Sequence, residues 1–145
     1  MDLRGVGPFD SDTAADYLSD LYSAEYHQRL GLIEAALRTG ADPSEGFLDS
    51  HEAVPAIVAA AIVAQFRAAE PGDIPEPLAF LAASGVPPIP DSLIPLAVAA
   101  LERILAPDSE LNELWSATDQ YRAWEDTILT LRAALGDDPL GASTK

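Results

Sequence analysis

Three aspartates crowd the start of the chain, Asp10, Asp12 and Asp16, and its only two histidines are His27 and His51. Carboxylates on alternate residues are the way a calcium loop opens, and Asp10-Ser11-Asp12 has that spacing. The remainder of such a loop is missing, with no glycine at its sixth position and no glutamate at its twelfth. Magnesium asks for only one or two carboxylates plus water, so a magnesium site at the aspartates stays open. A histidine-containing site would need tertiary packing to gather Asp10, Asp12, His27 and His51. No His-x3-His or Glu-x-x-His pair is present to hold a metal on one helix face. Cysteine is absent, which removes disulfides, thiolate ligands and a cysteine nucleophile. There is also no Gly-x-Ser-x-Gly elbow, no Ser-x-x-Lys and no glycine-rich phosphate loop. The chemistry reads as non-enzymatic, with no cofactor implied.

The same aspartates have structural uses. Asp12 stands directly before Ala14, Leu18, Leu21 and Tyr22, a helical stripe whose first amides its carboxylate can cap. Asp16 still lies near the positive end of that helix. Asp10 is left over, together with the Gly5-x-Gly7-Pro8-Phe9 approach to it. Two glycines there permit tight turns that tuck Phe9 inward. A structural clasp is the first expectation for this segment and a binding edge the second.

The chain has 145 residues, the size of one ordinary domain with a real core, and 48% of them are hydrophobic. Twenty-four acids face eight bases, for a formal charge of −16. That field repels phosphate backbones, so nucleic acid is not an expected partner and a basic surface is. The longest apolar run, Ala53 to Ala64, is too short to span a bilayer and contains Pro55, so no membrane association is expected. With no secretory signal in view, a cytoplasmic location is the expectation.

Helical periodicity runs through the chain. A second stripe, Tyr26, Leu30, Ile33 and Leu37, closes at Gly40 as a C′ residue, and Ser23 is the candidate cap between it and the first. Without a proline or glycine at that junction, one bent helix is the alternative. After a turn-rich linker, Asp49 and Glu52 form a capping-box variant for a helix that is apolar nearly all round from Val54 to Ala69. Such a helix belongs in the middle of a bundle. Residues 71–77 break the chain again, Leu78 to Ser84 make about two turns, and Gly85 to Pro90 are extended. Asp91 then caps a helix through Ile94, Ala97, Val98, Leu101, Ile104 and Leu105, which Pro107 stops. Asp108-Ser109 opens the last pattern, Leu111 to Leu135, with an interruption at Ser116 to Asp119. The expectation is an all-α fold: one irregular bundle of five to seven helices with Pro/Gly-rich linkers over residues 1–136, followed by a flexible tail over 137–145.

The run Gly5-Val6-Gly7-Pro8-Phe9-Asp10-Ser11-Asp12-Thr13-Ala14-Ala15-Asp16 resembles the N-terminal signature of the DUF4259 family, Trp-Gly-x-Gly-Pro-Phe-(Asp/Glu)-Asn-Asp-x-Ala-x-Asp. The alanine-rich segment from Leu48 to Ala64 and the Asp108 to Trp115 stretch with Trp124 and Leu131 extend the resemblance over most of the chain. Arg4 departs from the pattern where the family has Trp, and Ser11 where it often has Asn. The resemblance implies a small bacterial helical protein of unknown function and carries over no catalytic residue.

Two surfaces are candidates for function. The acidic residues Asp10, Asp12, Asp16, Asp20 and Glu25 suit a basic protein partner, so a non-enzymatic binding or regulatory module is the leading expectation, in the manner of an immunity-type inhibitor. The aromatic patch Trp115, Tyr121 and Trp124 has interface composition, although helical spacing favours packing. Its alternative use is a homodimer that buries an aromatic face. The rival from another class is a metal-binding protein or metal-dependent hydrolase built on Asp10, Asp12, His27 and His51.

Overall fold

In the computed structural model, residues 7–42, 46–67 and 76–135 are described, and the expected tail over 137–145 lies outside them. Among the described residues seven α-helices follow one another: α1 (Asp12–Ser23), α2 (Tyr26–Ala41), α3 (Ser50–Arg67), α4 (Ala79–Ser84), α5 (Leu93–Ile104), α6 (Glu110–Ser116) and α7 (Tyr121–Ala134). A 3-10 turn at Glu76–Leu78 leads into α4. Among the described residues the only extended pairing is an isolated parallel bridge between Leu48 and Ser109. The fold is an all-α bundle, as the periodicity predicts.

Helix α3 lies at the centre and touches α1, α2, α5, α6 and α7. From Ala53 to Val63 every residue except Pro55 is buried, which is why this helix carries no polar stripe. Pro55 sits in the second turn, where its missing N–H costs only the bond to the His51 carbonyl. Asp49 caps this helix as expected, accepting from the Glu52 N–H at 3.0 Å. The start of α3 is also tied to the start of α6. The Leu48 N–H donates to the Asp108 carbonyl (3.0 Å), the Glu110 N–H donates to the Leu48 carbonyl (2.8 Å), and the Glu110 carboxylate accepts from the Ser50 N–H (2.7 Å). One carboxylate thereby sits at two helix N-termini, the ends that favour negative charge.

Several local expectations need correction. The N-cap of α1 is Ser11, whose hydroxyl accepts from the Ala14 N–H at 3.1 Å, and Asp12 is already the first helical residue. Between α1 and α2 the chain breaks at Ala24, which is extended, so these are two helices. Glu25, not Ser23, occupies the α2 N-cap position, and the Gln28 side chain reaches back to its N–H at 3.3 Å. Gly40 does not end α2 but is buried within it. Ser92 occupies the cap position of α5, with the Asp91 carbonyl accepting from the Ile94 N–H at 3.0 Å. Gln120 precedes α7, where Thr118 Oγ1 accepts its N–H at 3.1 Å and donates to the Trp115 carbonyl at 2.8 Å.

The Ser11 cap gives a direct expectation. Ser11→Ala should lower stability by about 1 kcal/mol, whereas Ser11→Asn should be nearly neutral because both side chains accept from the first-turn amides. Thermal melting of the two variants checks this. An equal loss in both would show that the hydroxyl has some other role.

Candidate functional site

The N-terminal segment is built around a tight turn. The Asp10 N–H donates weakly to the Gly7 carbonyl (3.4 Å), and Asp10 Oδ2 accepts from the Gly7 N–H at 2.9 Å. A Cβ at Gly7 would lie 2.8 Å from that same oxygen, so a larger residue there would make the Asp10 carboxylate shift. Pro8 presets the turn's φ, and Phe9 is left half-buried against the core. Asp10, which helix capping alone does not account for, is thus the latch of a clasp, and its other side faces solvent.

From the clasp the acids run outward. Asp12, Asp16 and Asp20 are all exposed and repeat every four residues, so they form one stripe along α1, a helix with no basic residue. Asp20 lies beside Tyr17, whose hydroxyl donates to the Leu32 carbonyl at 3.1 Å and ties α1 to α2. Burial pushes the Tyr17 phenol well above its ordinary range, and the Asp20 charge adds to the shift, so the donor keeps its proton at any physiological pH. Glu25 stands at the α1–α2 elbow, with its carboxylate 3.7 Å from His27 Nε2, and both side chains are about three-quarters exposed at 75% and 72%. Contrary to the stripes read from periodicity, Tyr22 and Tyr26 are also on the surface, 68% and 50% exposed. The elbow is therefore acidic and aromatic together.

Beneath this elbow lies a group that sequence reasoning missed. Arg29 is only 6% exposed and has no carboxylate among its recorded partners. Its Nε donates to the Leu21 carbonyl (3.0 Å), while one Nη donates to Ser84 Oγ (2.7 Å) and the Gly85 carbonyl (2.8 Å). The other Nη reaches toward the Tyr22 carbonyl at 3.4 Å. The guanidinium also sits over the Phe80 ring, 5.8 Å from its centroid. One cation thus satisfies the carboxyl-terminal ends of both α1 and α4, the ends that favour positive charge. The available signal was register: Arg29 precedes Ile33 and Leu37 by one and two turns on the buried face.

The metal combination is not assembled. His27 begins α2, whereas His51 lies with Ala35, Ala36 and Thr39 near its other end. Two to three helical turns separate those places, about 12–18 Å along the axis. Asp10 and Asp12 are at the clasp. Among the described residues no group of three or more His, Cys, Asp or Glu side chains could hold a metal ion.

Nor is the aromatic patch a surface. Trp115 and Trp124 are 6% and 3% exposed and stack on each other with centroids 6.3 Å apart and planes 13° apart. Tyr121 packs on Trp124 at 6.0 Å and is half-buried. These rings join α6 to α7, and the face expected for a homodimer is already covered from within. No described helix is long and apolar enough to cross a membrane.

One concavity stands out. A furrow of about 630 Å³ runs between α3 and α7, with Phe9 and Pro8 of the clasp as one wall. Its presence was not legible in the sequence, because alanines and threonines from distant segments create it.

Fold and surfaces together define a small all-α bundle protein with a latched N-terminal turn and an acidic, aromatic elbow. The chain belongs to the DUF4259 family, a domain of unknown function, whose family model matches residues 4–127. No curated protein and no solved structure matches it.

Proposed function

We propose that the protein is a non-enzymatic binding module that engages a basic protein partner through the α1–α2 face. The observation that carries this reading is the exposed stripe Asp12, Asp16 and Asp20 along α1, with the exposed Tyr22 and Tyr26 at the neighbouring α1–α2 elbow. Acids supply long-range steering and rim contacts, while an exposed tyrosine supplies anchoring area and a π face for Lys or Arg. The disposition of the arginines also supports it. Arg29, Arg38, Arg103 and Arg132 all donate to the protein's own carbonyls or to Glu34 and Glu102, so none of these four is recorded on the Asp12–Asp16–Asp20 stripe. Both histidines are exposed, and among the described residues neither joins a group of three or more His, Cys, Asp or Glu that could hold a metal ion.

The test is affinity capture from the native host with wild type and with the double variant Asp16→Lys/Asp20→Lys. A basic protein should be retained by wild type, released by about 0.5 M salt, and bound at least about tenfold more weakly by the variant. A set of captured proteins that does not differ between the two baits would end this reading.

A further inference from the structure

We infer that the furrow between α3 and α7 is a binding site for a small amphipathic amine, with its apolar body lying in the furrow and its ammonium group at Asp126. Its volume of about 630 Å³ suits a small molecule, since ligand pockets run from about 300 to 1,000 Å³. Residues of α3, α7, the clasp and, through Leu78, the 3-10 turn line it. Ala61 and Ala64 of α3 form the floor, Thr130 and Leu131 of α7 form one wall, and Phe9 of the clasp forms the other. The space has a simple origin: α3 and α7 are in contact, but along the furrow the facing side chains are too small to fill the gap between them. The surface they leave is mostly apolar, and an apolar body gains by covering it.

Charge selects the head group. Among the described residues that line the furrow, Asp126 is the only ionisable one and none is basic. The chain as a whole carries −16. A carboxylate or phosphate head would meet both the local and the global field with the wrong sign, whereas an ammonium meets them with the right one. Asp126 is exposed, so this pairing sits at the mouth and sets preference, while affinity comes from the apolar floor. The site is separate from the α1–α2 face and stands or falls without it. It also gives the clasp a second use, because the turn that Gly7 and Asp10 close is what positions the Phe9 wall.

The test titrates the purified protein with n-octylamine and, separately, with octanoate at pH 7, followed by calorimetry and amide chemical shifts. Octylammonium should bind saturably, shift Phe9, Thr130 and Leu131, and bind at least about tenfold more tightly than octanoate. Asp126→Asn should cut that preference to about threefold or less while keeping the site. Ala64→Phe, which fills the floor, should weaken octylammonium by about tenfold or more. Thermal melting establishes that the filled variant folds, and Thr130→Phe on the exposed wall replaces it if it does not. The proposal is overturned by absence of octylammonium binding, by octanoate binding equally well, by shifts confined to residues outside the furrow, or by undiminished binding to the filled protein.

Discussion

Arg29→Met is expected to cost about 3 kcal/mol of stability and to lower the melting temperature by about 10 °C, although it preserves most of the side chain's apolar stem. The loss arises from groups left behind. The Gly85 carbonyl accepts from Arg29 at 2.8 Å and has no other recorded donor, so it becomes a partly buried acceptor without a protein partner. The Leu21 carbonyl is less exposed to the change, since the Ala24 N–H also reaches it at 3.2 Å. Ser84 Oγ loses one partner and keeps its donation to the Phe80 carbonyl at 2.6 Å. Losing the hydrogen bonds at the buried Leu21 and part-buried Gly85 carbonyls costs about 2 kcal/mol together, and the cation–π contact with Phe80 adds about 1 kcal/mol more. Arg29→Lys should recover only part of this, because a single ammonium cannot reach the Leu21 carbonyl and the Ser84–Gly85 pair in the fork geometry of a guanidinium. Chemical denaturation of wild type, Arg29→Lys and Arg29→Met checks the ranking. Equal stability of the lysine and arginine proteins would mean that charge alone, not the fork, holds the α1 and α4 ends together.

The same residue shows why some of the architecture was legible and some was not. Helix positions follow from local rules, so Asp49 before α3 and Pro107 after α5 mark the expected boundaries. The all-round apolar character from Val54 onward likewise places α3 in the middle, as contact with five other helices bears out. Arg29 is different, because its burial depends on carbonyl acceptors that α1 and the Ser84–Gly85 turn bring from elsewhere. Periodicity alone puts Tyr26 on the inner face, and the tertiary fold instead lays its ring beside Gly85 at the surface. Around the clasp, residue type was more telling than position. A capping residue was expected, and Ser11 takes the role one position before Asp12. That shift leaves Asp12 inside the helix, on the exposed stripe with Asp16 and Asp20, whose shared face was predictable from their four-residue spacing. The furrow had no comparable signal. Its floor and wall come from α3 and α7, and small residues in two separate helices announce nothing until the helices are seen together.

Gly40→Val is expected to be as damaging as loss of Arg29, about 3 kcal/mol, even though replacing glycine inside a helix ordinarily raises stability. A Cβ at this position would lie 2.6 Å from the Ala56 Cβ and 3.3 Å from the Ala100 Cβ. Neither neighbour has a flexible end to move, so α2 must be pushed away from both α3 and α5 at the place where all three meet. Glycine here serves close helix crossing, and a sequence pattern cannot tell that use from a C′ stop because both ask for a missing side chain. Separating the helices also displaces the Gly40 carbonyl, which accepts from Arg103 at 3.3 Å. Gly40→Ala tests the mechanism more finely. Helix propensity favours alanine by about 0.5–1 kcal/mol, overpacking opposes it by about 1–3 kcal/mol, and the net expectation is a loss of about 1–2 kcal/mol. Ala56→Gly moves the missing methyl to the other helix and should relieve the clash. The double variant Gly40→Ala/Ala56→Gly should therefore be more stable than the sum of the single effects by about 1 kcal/mol or more. Denaturation midpoints for the four proteins of this cycle give the coupling directly. Additive losses would place the cost somewhere other than the α2–α3 crossing, and a favourable coupling identifies Gly40 as the contact that sets how closely the three central helices pack.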